Sequence, residues 1–395
     1  MGLYFQPGNL SFQKISSSQT YIDRTGVIAE INKQLDQGNH LIMLSLPPGT
    51  GKTWQMQSLY AYYDESCDSR SLLEEKAIAK DTSFHKHLHK YLAIRLDMAV
   101  MMTQVQKGED IRVYVEEALK KEALRLFTDF TLSPQWDINT ILSQIVERTG
   151  KELFFFIDEW DAPIRMATDN LDAQRSYLDL LRSWFKNESF TESYVAAAYM
   201  TGILPIKKMK GEATLSDFKE YTILKPGFFA PYVGFHEDEV RSLCAGKIPF
   251  EEVKKWYDGY SIGDLRYYNP DAITGALVSG ECGGFWPAAS KAISLASLLS
   301  LGFDGLLADM EALAAGARLL IDTSSFQNDT VRFRSKEDVF TLLIHLGYLS
   351  YDRLTPGDMR NWTEKEKARR GSSFVFARMP NLALRKVFLD LLNQK

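Results

Sequence analysis

Two short strings hold the residues most able to do chemistry. The first is Leu46-Pro47-Pro48-Gly49-Thr50-Gly51-Lys52-Thr53. Glycines at 49 and 51 let backbone N–H groups approach an anion with no Cβ in the way. A lysine then supplies a point charge, and a threonine hydroxyl suited to a hard cation comes directly after it. Pro48, Gly49, Thr50, Gly51, Lys52 and Thr53 are therefore the candidate cradle for the phosphates of ATP, with Lys52 at the β- and γ-phosphates and Thr53 on Mg²⁺. The general form GxxxxGK[ST] places a glycine where this chain has Leu46. The alternative reading is a Gly/Pro turn with an incidental Lys-Thr.

The second string is Asp158-Glu159, reached through five apolar residues, Leu153–Ile157. Such a run describes a buried parallel strand, and ligands of open α/β sheets bind at the carboxyl ends of strands. Asp158 is expected to hold Mg²⁺ and Glu159 to act as general base toward an attacking water. Thr201, after the apolar run Tyr194–Met200, is placed to sense a γ-phosphate. The basic residues Lys207, Lys208 and Lys210 read equally as a contact to phosphate or to an acidic partner and as a solvated loop. Asp161 and Arg165 lie near the acidic tip, with no role assigned to either.

The elements that must position these residues alternate in the first half. Expected strands are Leu41–Ser45, Leu92–Asp97, Leu153–Ile157, Tyr194–Met200 and Tyr221–Leu224. Helical patterns cover Val27–Leu35, Thr53–Tyr63, Ile111–Phe127, Ile138–Arg148 and Asp172–Phe185. The strand, glycine-rich loop and helix around Lys52 supply the context that a phosphate site needs. The fold class is α/β, a P-loop NTPase parallel sheet with helices on both faces. After Gly234 helices dominate, at Glu237–Leu243, Pro249–Trp256, Asp271–Val278, Ser290–Leu301 and Phe303–Leu313. A last unit runs helix Glu337–Leu346, strand Tyr348–Asp352, a polar tip, strand Phe374–Ala377 and helix Leu382–Leu392, the order of a winged helix. The expected division is an ATPase domain over 1–234, a helical domain over 235–315 and a winged-helix-like domain over 316–395. The tip carries Lys365, Lys367, Arg369 and Arg370, so nucleic acid is one candidate partner and packing against the ATPase core another.

Composition narrows the class. The chain has 395 residues, 45% of them apolar and 25% charged, ordinary values for a water-soluble globular protein. A net charge of −5 gives no global basic field for nucleic acid or anionic membrane. Cys67, Cys244 and Cys282, an odd and scattered set, form neither a disulfide framework nor a zinc ribbon. The first residues lack a secretory signal pattern, and no apolar run is long enough to span a bilayer. A cytoplasmic location, without membrane, is expected.

Other features read as structure. His85 and His89 would share a face of a helix, yet nothing completes a metal set, and Lys86 and Lys90 would repel a cation. A solvated helix face is expected there. Trp256-Tyr257-Asp258-Gly259-Tyr260 reads as core at a helix end, with Gly259 as its cap. Asp23 and Thr25 read as helix-start signals. Asp238 with Glu252 and Lys254, the one set tempting as a nuclease site, falls in segments of helical period and is rejected.

Several strings together resemble the predicted AAA-ATPase-like proteins of bacteria, which often carry a PD-(D/E)xK-type nuclease domain. They are Tyr4–Asn9 with Tyr21–Gly26, the loop at Lys52, Phe156–Glu159, Met200–Lys208, Trp256–Tyr260, Tyr268-Asn269-Pro270 and Leu342–Leu349. The loop departs from the Arg-Pro-Arg-Arg-Phe-Gly-Lys usual in that family, and Pro47-Pro48-Gly49-Thr50 is similar to AAA-type loops. The chain stops about where the nuclease domain would begin, so no nuclease is expected. A strand between loop and acidic strand, and a glutamate after the acid, look like the additional-strand catalytic-glutamate branch, which mostly hydrolyses ATP. No guanine-reading NKxD-type element is found. The resemblance implies an ATPase of the AAA/signalling kind that rearranges domains, a protein partner or a homo-oligomer. The alternatives are a nucleotide-gated switch with little hydrolysis and a DNA-associated ATPase.

Overall fold

The run Leu153-Phe154-Phe155-Phe156-Ile157 is apolar at every position because both faces of its strand are covered. In the computed structural model, which describes residues 2–106, 108–166, 170–206, 215–285, 295–327, 333–364, 366–367 and 373–392, strand β3 (Leu153–Asp158) is buried throughout. Successive side chains point to opposite faces. Phe154 and Phe156 stack with each other and pack on Tyr63, whose centroid is 4.6 Å from Phe154, on helix Lys52–Tyr63. Phe155 turns the other way onto Trp184 at 5.1 Å and Phe185 at 5.2 Å, on helix Leu171–Phe185. Helices therefore cover both sides of the sheet.

The described residues divide into two compact units. The first comprises Met1–Leu44, Lys52–Gly202 and Gly211–Tyr221. Its sheet takes the order β2-β3-β4-β1-β5, with β1 Leu41–Ser45, β2 Leu92–Asp97, β4 Val195–Gly202 and β5 Lys219–Thr222. β2, β3 and β4 run parallel, and the register aligns Asp97 with Asp158 and Ile157 with Met200. The strand that separates β1 from β3 in space is β4. β2, which comes between them along the chain, lies at the edge.

That edge is covered by the first residues of the chain. Phe5 forms an antiparallel bridge with Ile94, and Glu122 accepts the N–H groups of Leu3, Tyr4 and Phe5. An exposed strand edge is a template for unwanted pairing, and this strap removes it. The strap was invisible to periodicity because it is too short to show a pattern.

The second unit comprises Ser45–Gly51, Ile203–Lys210 and Thr222–Lys395. Helices Glu237–Cys244, Phe250–Tyr257, Pro270–Ser279 and Leu306–Ala315 match the expected pattern closely. Two short strands not expected, β6 Tyr260–Ile262 and β7 Leu265–Tyr267, make a hairpin. Gly259 is not the helix cap. Asp258 occupies that place, and Gly259 (φ 122°) is needed because a Cβ there would collide with the Pro380 carbonyl oxygen. Tyr257 and Tyr260 are buried, as expected of core.

The C-terminal part has the winged-helix order with a third strand added. β8 (Arg318–Asp322) joins β10 (Phe374–Arg378) and β9 (Ser350–Arg353) in an antiparallel sheet ordered β8-β10-β9, with helices Lys336–His345 and Leu382–Leu392. The expected helix Ser290–Leu301 is described over Leu295–Leu299. Lys207, Lys208, Lys210, Lys365, Arg369 and Arg370 lie outside the described residues.

The histidines differ from expectation. The helix there is one turn long, Phe84–His87, and His89 has φ 56°, so His85 and His89 do not share a helical face. His87 is buried against Tyr91 (Nδ1 to Oη 2.7 Å) and Asp36, and His89 Nε2 accepts the Ser69 N–H at 3.0 Å. His87 and His89 are structural hydrogen-bonding groups.

Trp184 ties these layers together. It stacks on Phe155, and its Nε1 donates to Asn139 Oδ1 at 3.0 Å. Trp184→Ala should cost about 3–5 kcal/mol of stability, read as a lower midpoint in urea denaturation with little change of slope.

Candidate functional site

A buried carboxylate must be hydrogen-bonded to be tolerated. Asp158, at the end of β3 and only 2% exposed, collects its partners from three elements. Thr53 Oγ1, in the first turn of helix Lys52–Tyr63, donates to Oδ2 at 2.7 Å. Thr201 Oγ1, near the end of β4, donates to Oδ1, and the Glu159 N–H donates to the same oxygen at 3.1 Å. Thr53, Asp158, Glu159 and Thr201, selected from sequence, thus meet at one sheet edge. The position of β4 between β1 and β3 is what brings Thr201 to Asp158.

Beyond Asp158 the chain turns sharply. Glu159 adopts φ 50°, a left-handed conformation unusual for a residue with a Cβ, and the Trp160 N–H donates to the Thr201 carbonyl at 2.9 Å. Backbone held this way costs about 1–3 kcal/mol and concentrates at functional sites. It turns the Glu159 side chain away from Asp158 and toward Arg165. Arg165 Nη2 donates to Glu159 Oε2 at 2.6 Å, and its Nε donates to Asp161 Oδ2 at 2.7 Å. Arg165 is itself buried, on the short helix Ala162–Met166.

The electrostatics derive from that packing. Burial holds the Glu159 carboxyl above the usual glutamate range. The cations Lys52 and Arg165 pull against that shift, and the anions Asp161 and Asp158 reinforce it. Asp97 is a further acid of this edge, in register with Asp158. Burial raises its carboxyl and the Asp158 charge adds to that. The Val100 N–H, which it accepts as helix cap at 3.0 Å, and the Arg95 cation act in the opposite sense.

Arg165 and Asp97 went unassigned from sequence, although each left a signal. Asp161 and Arg165 have the i,i+4 spacing of a helical ion pair. Leu92–Asp97 ends in an acid just as Leu153–Asp158 does.

The loop itself explains its departure from GxxxxGK[ST]. Gly49 and Gly51 have φ 73° and 92°, which glycine permits, and Gly51 is the glycine of the pattern that this chain keeps. Leu46 has no positive φ and is buried, so the position that lost its glycine asks for none. Thr50 Oγ1 donates to the Pro47 carbonyl at 2.8 Å, which closes the turn from within. Lys52, the first residue of its helix, is buried.

The donor chemistry around Asp158 fits a magnesium ion. Mg²⁺ takes oxygen ligands, with one or two from protein and the rest from phosphate and water. Thr53 and Asp158 offer that partial set. Among the described residues no group of three or more His, Cys, Asp or Glu could hold a metal by itself. No helix among them is long and apolar enough to cross a membrane.

The chain is similar to several known proteins. A protein of Azotobacter chroococcum mcd 1, described as an uncharacterized protein in the vnfD 5' region, is 20% identical over 285 residues, 71% of this chain and 52% of that protein. The chain spans about half the length of that curated relative. Among solved structures, Cdc6p of Pyrobaculum aerophilum aligns at 11% identity with a TM-score of 0.32 over 94% of both chains. The ORC2 protein of Aeropyrum pernix, in its ADPNP–ADP complexes, aligns at 11% identity and 0.36 over 99% of both. The model of the family described as Predicted AAA-ATPase matches residues 8–210, just over half of the 395, and the chain belongs to that family.

Proposed function

We propose that the chain binds ATP with Mg²⁺ and hydrolyses it to ADP and phosphate. The observation that carries this reading is the hydrogen-bonded set Thr53–Asp158–Thr201, with Glu159 turned out beside it. Thr53 and Asp158 would hold Mg²⁺, which supplies neutralisation of charge on the transferring phosphoryl group. Lys52 adds positive charge at the phosphates, and Thr201 acts as the sensor of the γ-phosphate. Glu159 takes a proton from water, whose oxygen bonds to the γ-phosphorus. The bond from that phosphorus to the β,γ-bridging oxygen breaks, and its electron pair leaves with ADP. Arg165 holds Glu159 through Oε2, so Oε1 is the atom assigned to the proton.

The same ion pair supports a second reading. A base held at 2.6 Å by a buried guanidinium turns over slowly, as a nucleotide-gated switch would. In either reading nucleotide state would alter how the domains, divided near residues 234 and 315, or a protein partner or second copy, are held. We place the activity in the cytoplasm.

Lys52→Ala should abolish ATP binding measured with a fluorescent analogue, and retained tight binding would remove the site from the loop. Glu159→Gln should keep binding while turnover falls by about 10²–10⁴-fold. Turnover unchanged in that variant would remove Glu159 from the chemistry.

Arg165→Gln tests the setting of the base. Glu159 must be ionised to accept a proton, so kcat rises with pH through its carboxyl pKa. Because Arg165 pulls that pKa down, its loss should move the acid limb of kcat to higher pH. An acid limb that stays in place would contradict the assignment. A rise in kcat above the limb would favour the switch reading.

A further inference from the structure

The Tyr268-Asn269-Pro270 string takes no part in the proposed hydrolysis, yet it reaches the loop. Asn269 is 2% exposed, and its side chain is used at both ends. Oδ1 accepts the N–H groups of Asp271 at 3.0 Å and Ala272 at 3.3 Å, capping helix Pro270–Ser279. Nδ2 donates to the Pro48 carbonyl at 2.9 Å. The segment beside it helps from the backbone. Phe235 and Tyr268 form an antiparallel bridge, and the Gly234 N–H donates to the Thr50 carbonyl at 3.2 Å.

We infer that Asn269 is a positioning residue for phosphate binding, which aims the loop's backbone donors. In a trans peptide the C=O of one residue and the N–H of the next point in opposite directions. Holding Pro48 C=O against Asn269 therefore turns the Gly49 N–H the other way. Holding Thr50 C=O against Gly234 does the same for the Gly51 N–H. The carbonyl of Pro47 is held within the loop by Thr50, and its peptide offers no donor because Pro48 has none. These two peptides are thus tied at the carbonyl, so the Gly49 and Gly51 N–H groups are fixed before any anion arrives. Donors fixed in advance cost no reordering on binding. The left-handed glycines make the loop able to take this shape, and Asn269 selects it from the shapes glycine allows.

The inference rests on the proposal that the loop binds ATP, and its test separates the two. Asn269→Ser keeps an uncharged helix cap but is too short to donate to Pro48. Asn269→Ala removes the cap as well and reports the stability effect of its loss. Three quantities are read for wild type and both variants: the melting temperature, the dissociation constant for ATP, and amide hydrogen exchange of the 46–53 segment without nucleotide. The expected result for Asn269→Ser is a melting temperature near wild type, faster exchange in 46–53, and ATP affinity weaker by about tenfold. Wild-type exchange and wild-type affinity in Asn269→Ser would overturn the inference and leave Asn269 as a helix cap only. If wild type binds no ATP yet exchange in 46–53 rises in Asn269→Ser, the loop anchor stands and the nucleotide reading falls.

Discussion

The interaction on which the site depends is the burial of one carboxylate, Asp158, at the end of a strand whose other residues are apolar. A charge in that position must be satisfied by donors from elsewhere in the chain. The donors are the hydroxyls of Thr53 and Thr201 and the N–H of Glu159. Each belongs to a different stretch of chain: the helix after the loop, the next parallel strand, and the turn after β3. Satisfying Asp158 therefore fixes the mutual placement of the residues that chemistry would use.

The packing of β3 gives that placement its rigidity. Phe154 and Phe156 lock one face against Tyr63, and Phe155 locks the other against Trp184 and Phe185. A strand gripped from both sides cannot slip without turning every side chain to the wrong face. The irregular part is confined to the turn after Asp158. Glu159 takes its strained φ, and Asp161, Glu159 and Arg165 gather one buried cation between two carboxylates. A rigid strand end holds Asp158, while Glu159 sits on a turn where Arg165 holds its carboxylate.

The core sheet was legible in the sequence because parallel, doubly covered strands read as short apolar runs. Leu41–Ser45 and Leu92–Asp97 match residue for residue, and Leu153–Ile157 needed only its terminal Asp158. The loop, Asp158, Glu159 and Thr201 were legible because each comes directly after such a run. What escaped was set by partners far along the chain. Ile321 is the one fully buried residue of β8, which is a strand because β10 pairs with it. The N-terminal strap exists because β2 has an open edge and Glu122 offers acceptors. Asn269 lies 221 residues from Pro48, and no local spacing could announce that bond. His85 and His89 failed for the opposite reason. The i,i+4 spacing of His85 and His89 suggested a shared helical face, but His89 leaves the helix to meet Ser69.

The central claim is that Thr53 and Asp158 hold Mg²⁺ for a nucleotide on the loop, and calorimetric titration of ATP into the protein with and without Mg²⁺ tests it most directly. The account predicts one ATP per chain, bound more tightly with Mg²⁺ than without, and loss of that difference in Asp158→Asn. ATP affinity indifferent to Mg²⁺ in the wild-type protein, or a Mg²⁺ effect that survives Asp158→Asn, would contradict it.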